Sequence, residues 1–169
     1  MQYCLDFAKA NREFMMETIK ESMSRHFVAK ITDEIDIHHN YANKERHFGR
    51  DVWVHRKGAT SAAQDQIGLI PGSQGTSSYV VKGKGSMWSF KSCSHGAGRK
   101  MGRNVAKKTL SLADEKQKLD SQGILHSVRN IDSLDEAPGA YKDIETVMNN
   151  QKDLVDIKVK LSPLAVVKG

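Results

Sequence analysis

Apolar residues recur every three or four positions from residue 3 to residue 23. They include Cys4, Phe7, Ala8, Phe14, Met15, Ile19 and Met23, and the spacing predicts one long amphipathic helix. Its methionine-rich face is expected to lie in the core, with Arg25 and His26 ending the helix in solvent. Beyond it the period shortens towards two. Strands are predicted over 35–38, 52–55, 66–70, 79–81 and 87–90, where apolar and polar residues alternate or short apolar runs stand between turn residues. Residues 99–110 read as a basic helix, and 112–122 as a second helix stopped by Gly123. A strand is expected at 124–128. A further helix opens near Asp135, with Ile144, Val147 and Met148 as its apolar stripe. Strict alternation over 156–161 predicts another strand, and 164–167 a last one. Helices and strands are mixed throughout, with no internal repeat and no clear linker, so the fold class is α+β (mixed α/β) in a single domain.

Composition narrows the setting. A chain of 169 residues is long enough for one domain with a real core. The net charge of +6 suits a polyanionic partner such as RNA or DNA. Cys4 and Cys93 form no metal-type pair, which is simplest in a reduced, intracellular and cytoplasmic setting. No stretch is long and apolar enough to span a membrane. The first residues run straight into a helix, so the chain reads as part of a longer one.

The candidate chemistry centres on Ser94-His95-Gly96-Ala97-Gly98-Arg99. A glycine turn between a strand and a helix lets backbone N–H groups approach a phosphate, and the helix N-terminus adds partial positive charge. His95 would then be a donor to phosphate or a nucleophile towards phosphorus. A plain tight turn is the alternative. A dinucleotide fingerprint fits poorly, because the third glycine comes at Gly102 rather than at Met101, and no G-K-[ST] follows for a triphosphate loop. Pro71-Gly72-Ser73-Gln74-Gly75-Thr76-Ser77-Ser78 is dense in glycine and hydroxyl residues and suited to wrapping a nucleotide. His38 and His39 end a predicted strand, where at most one should face a given metal. Arg56-Lys57-Gly58 is a basic strand end able to meet a phosphate, or a solvated hairpin.

Six motifs occur in a fixed order: His38-His39-Asn40-Tyr41-Ala42, His55-Arg56-Lys57-Gly58-Ala59, the 71–79 loop, Ser94 to Arg99, Ala137-Pro138-Gly139-Ala140-Tyr141-Lys142, and Lys168-Gly169. In this order they resemble the C-terminal part of an RtcB-type RNA-splicing ligase, across essentially the whole chain. The resemblance implies joining of an RNA 2′,3′-cyclic phosphate or 3′-phosphate to a 5′-hydroxyl, with GTP and manganese. It implies GMP carried on His95, with Arg99 near the RNA phosphate. His39 would ligate manganese and Asn40 would stand beside the nucleotide. Pro71, Gly72, Ser73, Gln74 and Ser78 would hold GMP, Gly96, Ala97 and Gly98 its phosphate, and Tyr141 and Lys168 the guanine. RNA and GTP are the implied partners, and an activating helper protein is left open. The family's N-terminal half, with its metal-binding aspartate, cysteine and two histidines, has no counterpart here. His38, His47, His55 and Cys93 are poor replacements. Gln74 stands where methionine is usual, and Gly102 where serine often follows the arginine motif. A non-catalytic RNA- or nucleotide-binding module is the alternative, and a metal-dependent phosphohydrolase a weaker one.

Overall fold

The computed structural model describes residues 2–28 and 30–166. The chain divides into two units, residues 1–36 and 37–169. In the first, α1 (Gln2–His26) follows the predicted helix closely, but no residue on it is buried. Phe7, Phe14 and Met15 are all more than half exposed, which corrects the expected core role of this face. Residues 30–36, which have no regular structure, join the helix through ion pairs. Asp36 accepts from both Arg12 nitrogens at 2.5 and 2.9 Å, and Glu34 lies 2.5 Å from Lys20 Nζ.

The second unit is built on three small antiparallel sheets. β1 (Asn40–His47) and β2 (Arg50–Lys57) form a hairpin in which Asn40 pairs with Lys57. The strand expected at 35–38 is absent. Gly58, at φ +74°, turns β2 away just where residue 39 would need a partner. β3 (Ala59–Ser61) and β6 (Ser92–Ser94) pair, and β4 (Ile67–Ile70), β5 (Ser78–Gly83) and β7 (Val155–Leu161) form the third sheet. Val155 is buried, yet Ile157, Val159 and Leu161 on this edge strand are about half exposed.

Residues 87–90 form a turn rather than the predicted strand, and Phe90 and Lys91 adopt positive φ. α2 (Arg103–Thr109) starts four residues later than expected, so no helix N-terminus stands at His95. Its N-cap is Gly102, which has no side chain to bond the first turn; a serine there would supply that bond. α3 (Leu112–Asp120) is capped by Ser111. The strands expected at 124–128 and 164–167 reduce to one bridge between Leu125 and Ala165, with Val167 outside the described residues. The helix expected from Asp135 is broken by Pro138 into two 3₁₀ segments, Ile131–Glu136 and Pro138–Ala140, before α4 (Ile144–Asn149). A proline lacks the N–H that would continue the ladder.

Two apolar cores follow. One joins Ile70, Tyr79, Val81 and Cys93 to Ile144 and Met148, which confirms the predicted stripe of α4. The other joins Leu119, Ile124, Val128 and Leu134. The mixed α+β class is therefore correct. Among the described residues, no helix is long and apolar enough to cross a membrane.

Candidate functional site

The site forms where two glycine loops meet. β6 runs antiparallel to β3 and delivers His95 beside Gly58, whose carbonyl accepts from His95 N at 3.5 Å. The 71–78 loop leaves β4 and touches the next residues. Ala97 N donates to Pro71 O at 3.0 Å, and a Cβ on Gly96 would lie 3.0 Å from that same oxygen. On the other side Lys142 N donates to Gly98 O and Lys100 N to Ala140 O, each at 2.9 Å, so residues 96–100 are stitched between two segments.

The loop at 71–78 is closed on itself. Ser73 N donates to Thr76 Oγ1 at 2.7 Å and Gly72 N to Ser78 Oγ at 3.3 Å. A Cβ on Gly72 would fall 2.2 Å from Ser77 O, so the turn admits only glycine there. Gln74 is buried and donates to Glu136 O at 2.9 Å, facing the acidic 132–136 segment.

His39, exposed immediately before β1, stacks on His95 with ring centroids 5.5 Å apart and planes 19° from parallel. Asn40 follows it, in register with Lys57. The two histidines singled out in sequence are thus neighbours in space. The substitutes are scattered. His47 is buried against Glu45 at 2.8 Å, His38 packs edge-on to Tyr41, His55 is exposed on β2, and Cys93 is buried beside Thr60. Burial pushes the Cys93 thiol above its usual range, which suits a core residue and not a ligand. Among the described residues no group of three or more His, Cys, Asp or Glu is placed to hold a metal ion. Two imidazoles fall short of a manganese centre, and the residues present do not fit one.

Arg99 is engaged within the chain. Its guanidinium donates to Asp135 O, to Glu136 Oε1 at 3.3 Å and to Tyr141 Oη at 3.4 Å, and lies over the Tyr141 ring. Tyr141 donates to Glu136, and burial together with that carboxylate pushes the phenol above its ordinary pKa. Lys168 lies outside the described residues.

A cavity of about 760 Å³ opens beside His95, bounded by Gly98, Arg99, Lys100 and Lys142. Lys100 and Lys142 are both exposed and make no ion pair among the described residues, so their charge is available to an anion. Sequence reading did not single them out, although Lys142 ends the Ala137-to-Lys142 motif. It also missed Gln151, which is buried and accepts from Ser94 N at 3.0 Å, fixing the strand end that carries His95. Arg56 was read as a basic strand end, but it is buried and forked onto Glu45, and only Lys57 is exposed.

Comparison with known proteins gives the family. The profile of a family described as tRNA-splicing ligase RtcB matches residues 1–169. The chain is 44% identical over 170 residues to the RNA-splicing ligase RtcB of Escherichia coli (strain K12), taking in 96% of this chain and 41% of that protein. It is 35% identical over 196 residues to the tRNA-splicing ligase RtcB of Thermococcus kodakarensis, across 100% of this chain and 41% of the relative. The corresponding protein of Methanopyrus kandleri is 34% identical over 202 residues, which is 20% of its own length. The chain therefore spans between 20% and 41% of the length of these curated relatives.

Proposed function

The chain belongs to the RtcB family, and on that premise we propose that it carries the guanylylation half of a GTP-dependent RNA ligase. The reading is that RNA ends bearing a 2′,3′-cyclic phosphate or 3′-phosphate are joined to 5′-hydroxyl ends. The observation that supports it most is the His39–His95 pair at the junction of the two glycine loops, beside the exposed cations Lys100 and Lys142.

In this proposal an unprotonated ring nitrogen of His95 attacks the α-phosphorus of GTP. A P–N bond forms, the bond to the bridging oxygen breaks, and pyrophosphate leaves with the electron pair. An oxygen of the RNA 3′-phosphate then attacks the same phosphorus, freeing the imidazole and leaving the 3′-phosphate activated by GMP. The 5′-hydroxyl attacks the 3′-phosphorus, loses its proton, and GMP departs. The backbone N–H of Gly98 and the Lys142 ammonium would offset the phosphate charge. The 71–78 loop would hold the nucleotide. Manganese is proposed as the metal that would accompany GTP; His39 would give it one imidazole, and the described residues supply no complete set of donors around it. The isolated chain should then label weakly.

The test is covalent labelling by α-labelled GTP with manganese, in a full-length RtcB protein containing this segment and in its His95→Ala variant. An acid-labile GMP adduct mapped to His95 and lost in the variant is expected. Undiminished labelling of His95→Ala, or an adduct on another residue, overturns the assignment.

A further inference from the structure

The hairpin of β1 and β2 carries a surface that the ligation chemistry does not use. Directly opposed residues of an antiparallel pair share one face. By register, Trp53 opposes Lys44 and Asp51 opposes Arg46, while His55 and Lys57 continue the same face along β2. Trp53 is 63% exposed, and Lys44, Arg46, His55 and Lys57 are exposed with it. Three cations therefore stand on this face against one carboxylate. Asp51 is shared loosely between Lys44 at 3.4 Å and Arg46 at 3.5 Å, and Lys57 has no carboxylate partner among the described residues.

The opposite face explains why this one is left outward. Val54, Arg56 and His47 point the other way and are buried, so β2 alternates between core and solvent from Asp51 to Lys57, while on β1 Ala42, opposite His55, is buried on the outward face. A large indole on the solvent side, flanked by cations, has no role in that packing.

The face also leads to the site. Lys57 ends β2 next to Gly58, whose carbonyl accepts from His95 N, and Asn40 opposite it follows His39. Trp53 and Lys57 are four residues apart, about 13 Å along an extended strand. A stacked single strand advances about 3.4 Å per nucleotide, so the indole lies about four nucleotides from the strand's end.

We propose that the outward face of this hairpin is a track for single-stranded RNA. A base a few nucleotides from the reacting end stacks on Trp53, and Lys44, Arg46 and Lys57 hold the phosphates. Base–aromatic stacking beside a basic groove binds without regard to sequence, as a ligase of varied ends requires. The partner rests on the RNA-ligase reading, whereas the surface itself does not involve His95.

The experiment uses the 169-residue chain and a fluorescein-labelled twelve-nucleotide RNA with a 3′-phosphate, read by anisotropy. Trp53→Ala should weaken binding by about five- to a hundredfold, with Trp53→Phe recovering most of it. Lys57→Gln should lower the salt slope by about 0.7. The chain has two tryptophans, so in Trp88→Phe the remaining emission reports Trp53, and saturating RNA should quench it. That measurement leaves Trp53 itself in place. Unchanged affinity in Trp53→Ala together with unquenched emission overturns the track. So does a concentration-dependent dimer abolished by Lys44→Glu, which would assign the face to a second copy. Guanylylation is read separately, in a full-length RtcB protein containing this segment: labelled His95 with no RNA effect at Trp53 sinks the track alone, and RNA quenching without any His95 adduct sinks the ligation chemistry alone.

Discussion

Replacing Glu45 by alanine should unfold this chain more readily than any surface change, and should loosen the His95 loop as it does so. The Arg56 side chain is 1% exposed. Its guanidinium donates to both Glu45 oxygens, to Phe90 O at 2.9 Å and through Nε to Ser92 Oγ at 3.0 Å. It therefore ties β2 to the turn that feeds β6. Glu45 also takes the Nε2 of buried His47. Removing one partner of a buried pair leaves an uncompensated charge, which costs about 3–5 kcal/mol. For a chain of this size that is a fall of about 6–20 °C in Tm. By contrast Lys9→Ala, in an exposed pair with Glu13, should change stability by less than about 1 kcal/mol. Thermal unfolding followed by circular dichroism measures both. Replacing Glu45 and Arg56 together by methionine should recover most of the loss, because no buried charge is then stranded. The pH dependence has a definite sign. Arg56 holds the Glu45 carboxyl below its usual range, with the His47 contact adding to this. Its contribution is complete above the unfolded carboxyl value, about 4.3, and is lost as pH falls through the lower folded value. The stability gap between the parent and Glu45→Gln should therefore narrow below about pH 4. If Glu45→Ala unfolds within about 1 kcal/mol of the parent, or the double methionine variant is the less stable of the two, the buried-charge reasoning is wrong.

Further outcomes follow from the site. Gly72→Ala places a Cβ 2.2 Å from Ser77 O, so it should cost about 1–3 kcal/mol and weaken GTP binding measured by calorimetry; a parent-like Tm and affinity would contradict the loop geometry. Lys142→Ala should weaken GTP binding about tenfold or more by removing a charged donor beside His95, and an unchanged Kd would place the phosphates elsewhere. The phenols of Tyr141 and Tyr79 titrate above the ordinary value, chiefly because they are buried beside Glu136 and Glu145. A raised folded pKa means stability present below about pH 10 and lost as pH rises, so Tyr141→Phe should flatten the alkaline limb of the unfolding curve.

Short-range pattern was sufficient wherever a segment's own residues decide its state. Helix α1, strands β2, β4, β5 and β7, and the apolar stripe of α4 all lie where periodicity puts them. The ordered motifs likewise carried the family, because glycine at 72 and 96 reports close backbone approach that other residues would block. His95 stands out in sequence by its glycine turn and His39 by resemblance, and the two rings stack in the structure.

What periodicity could not reach was partnership at a distance. The apolar face of α1 has helical spacing but finds nothing in its own unit to cover it, so it is exposed. Residues 35–38 alternate like a strand, but a strand needs a neighbour, and Gly58 removes it. Residues 99–102 favour a helix, yet their hydrogen bonds go to Ala140 and to Asp135 instead. Arg56 looks like a basic strand end in sequence and Gln74 like part of a nucleotide loop, and only tertiary contacts with Glu45 and Glu136 make them internal. Local sequence determined which backbone shapes were open to each segment. The folded structure decided which polar groups found partners, because an unpaired buried charge or strand edge is too costly to keep.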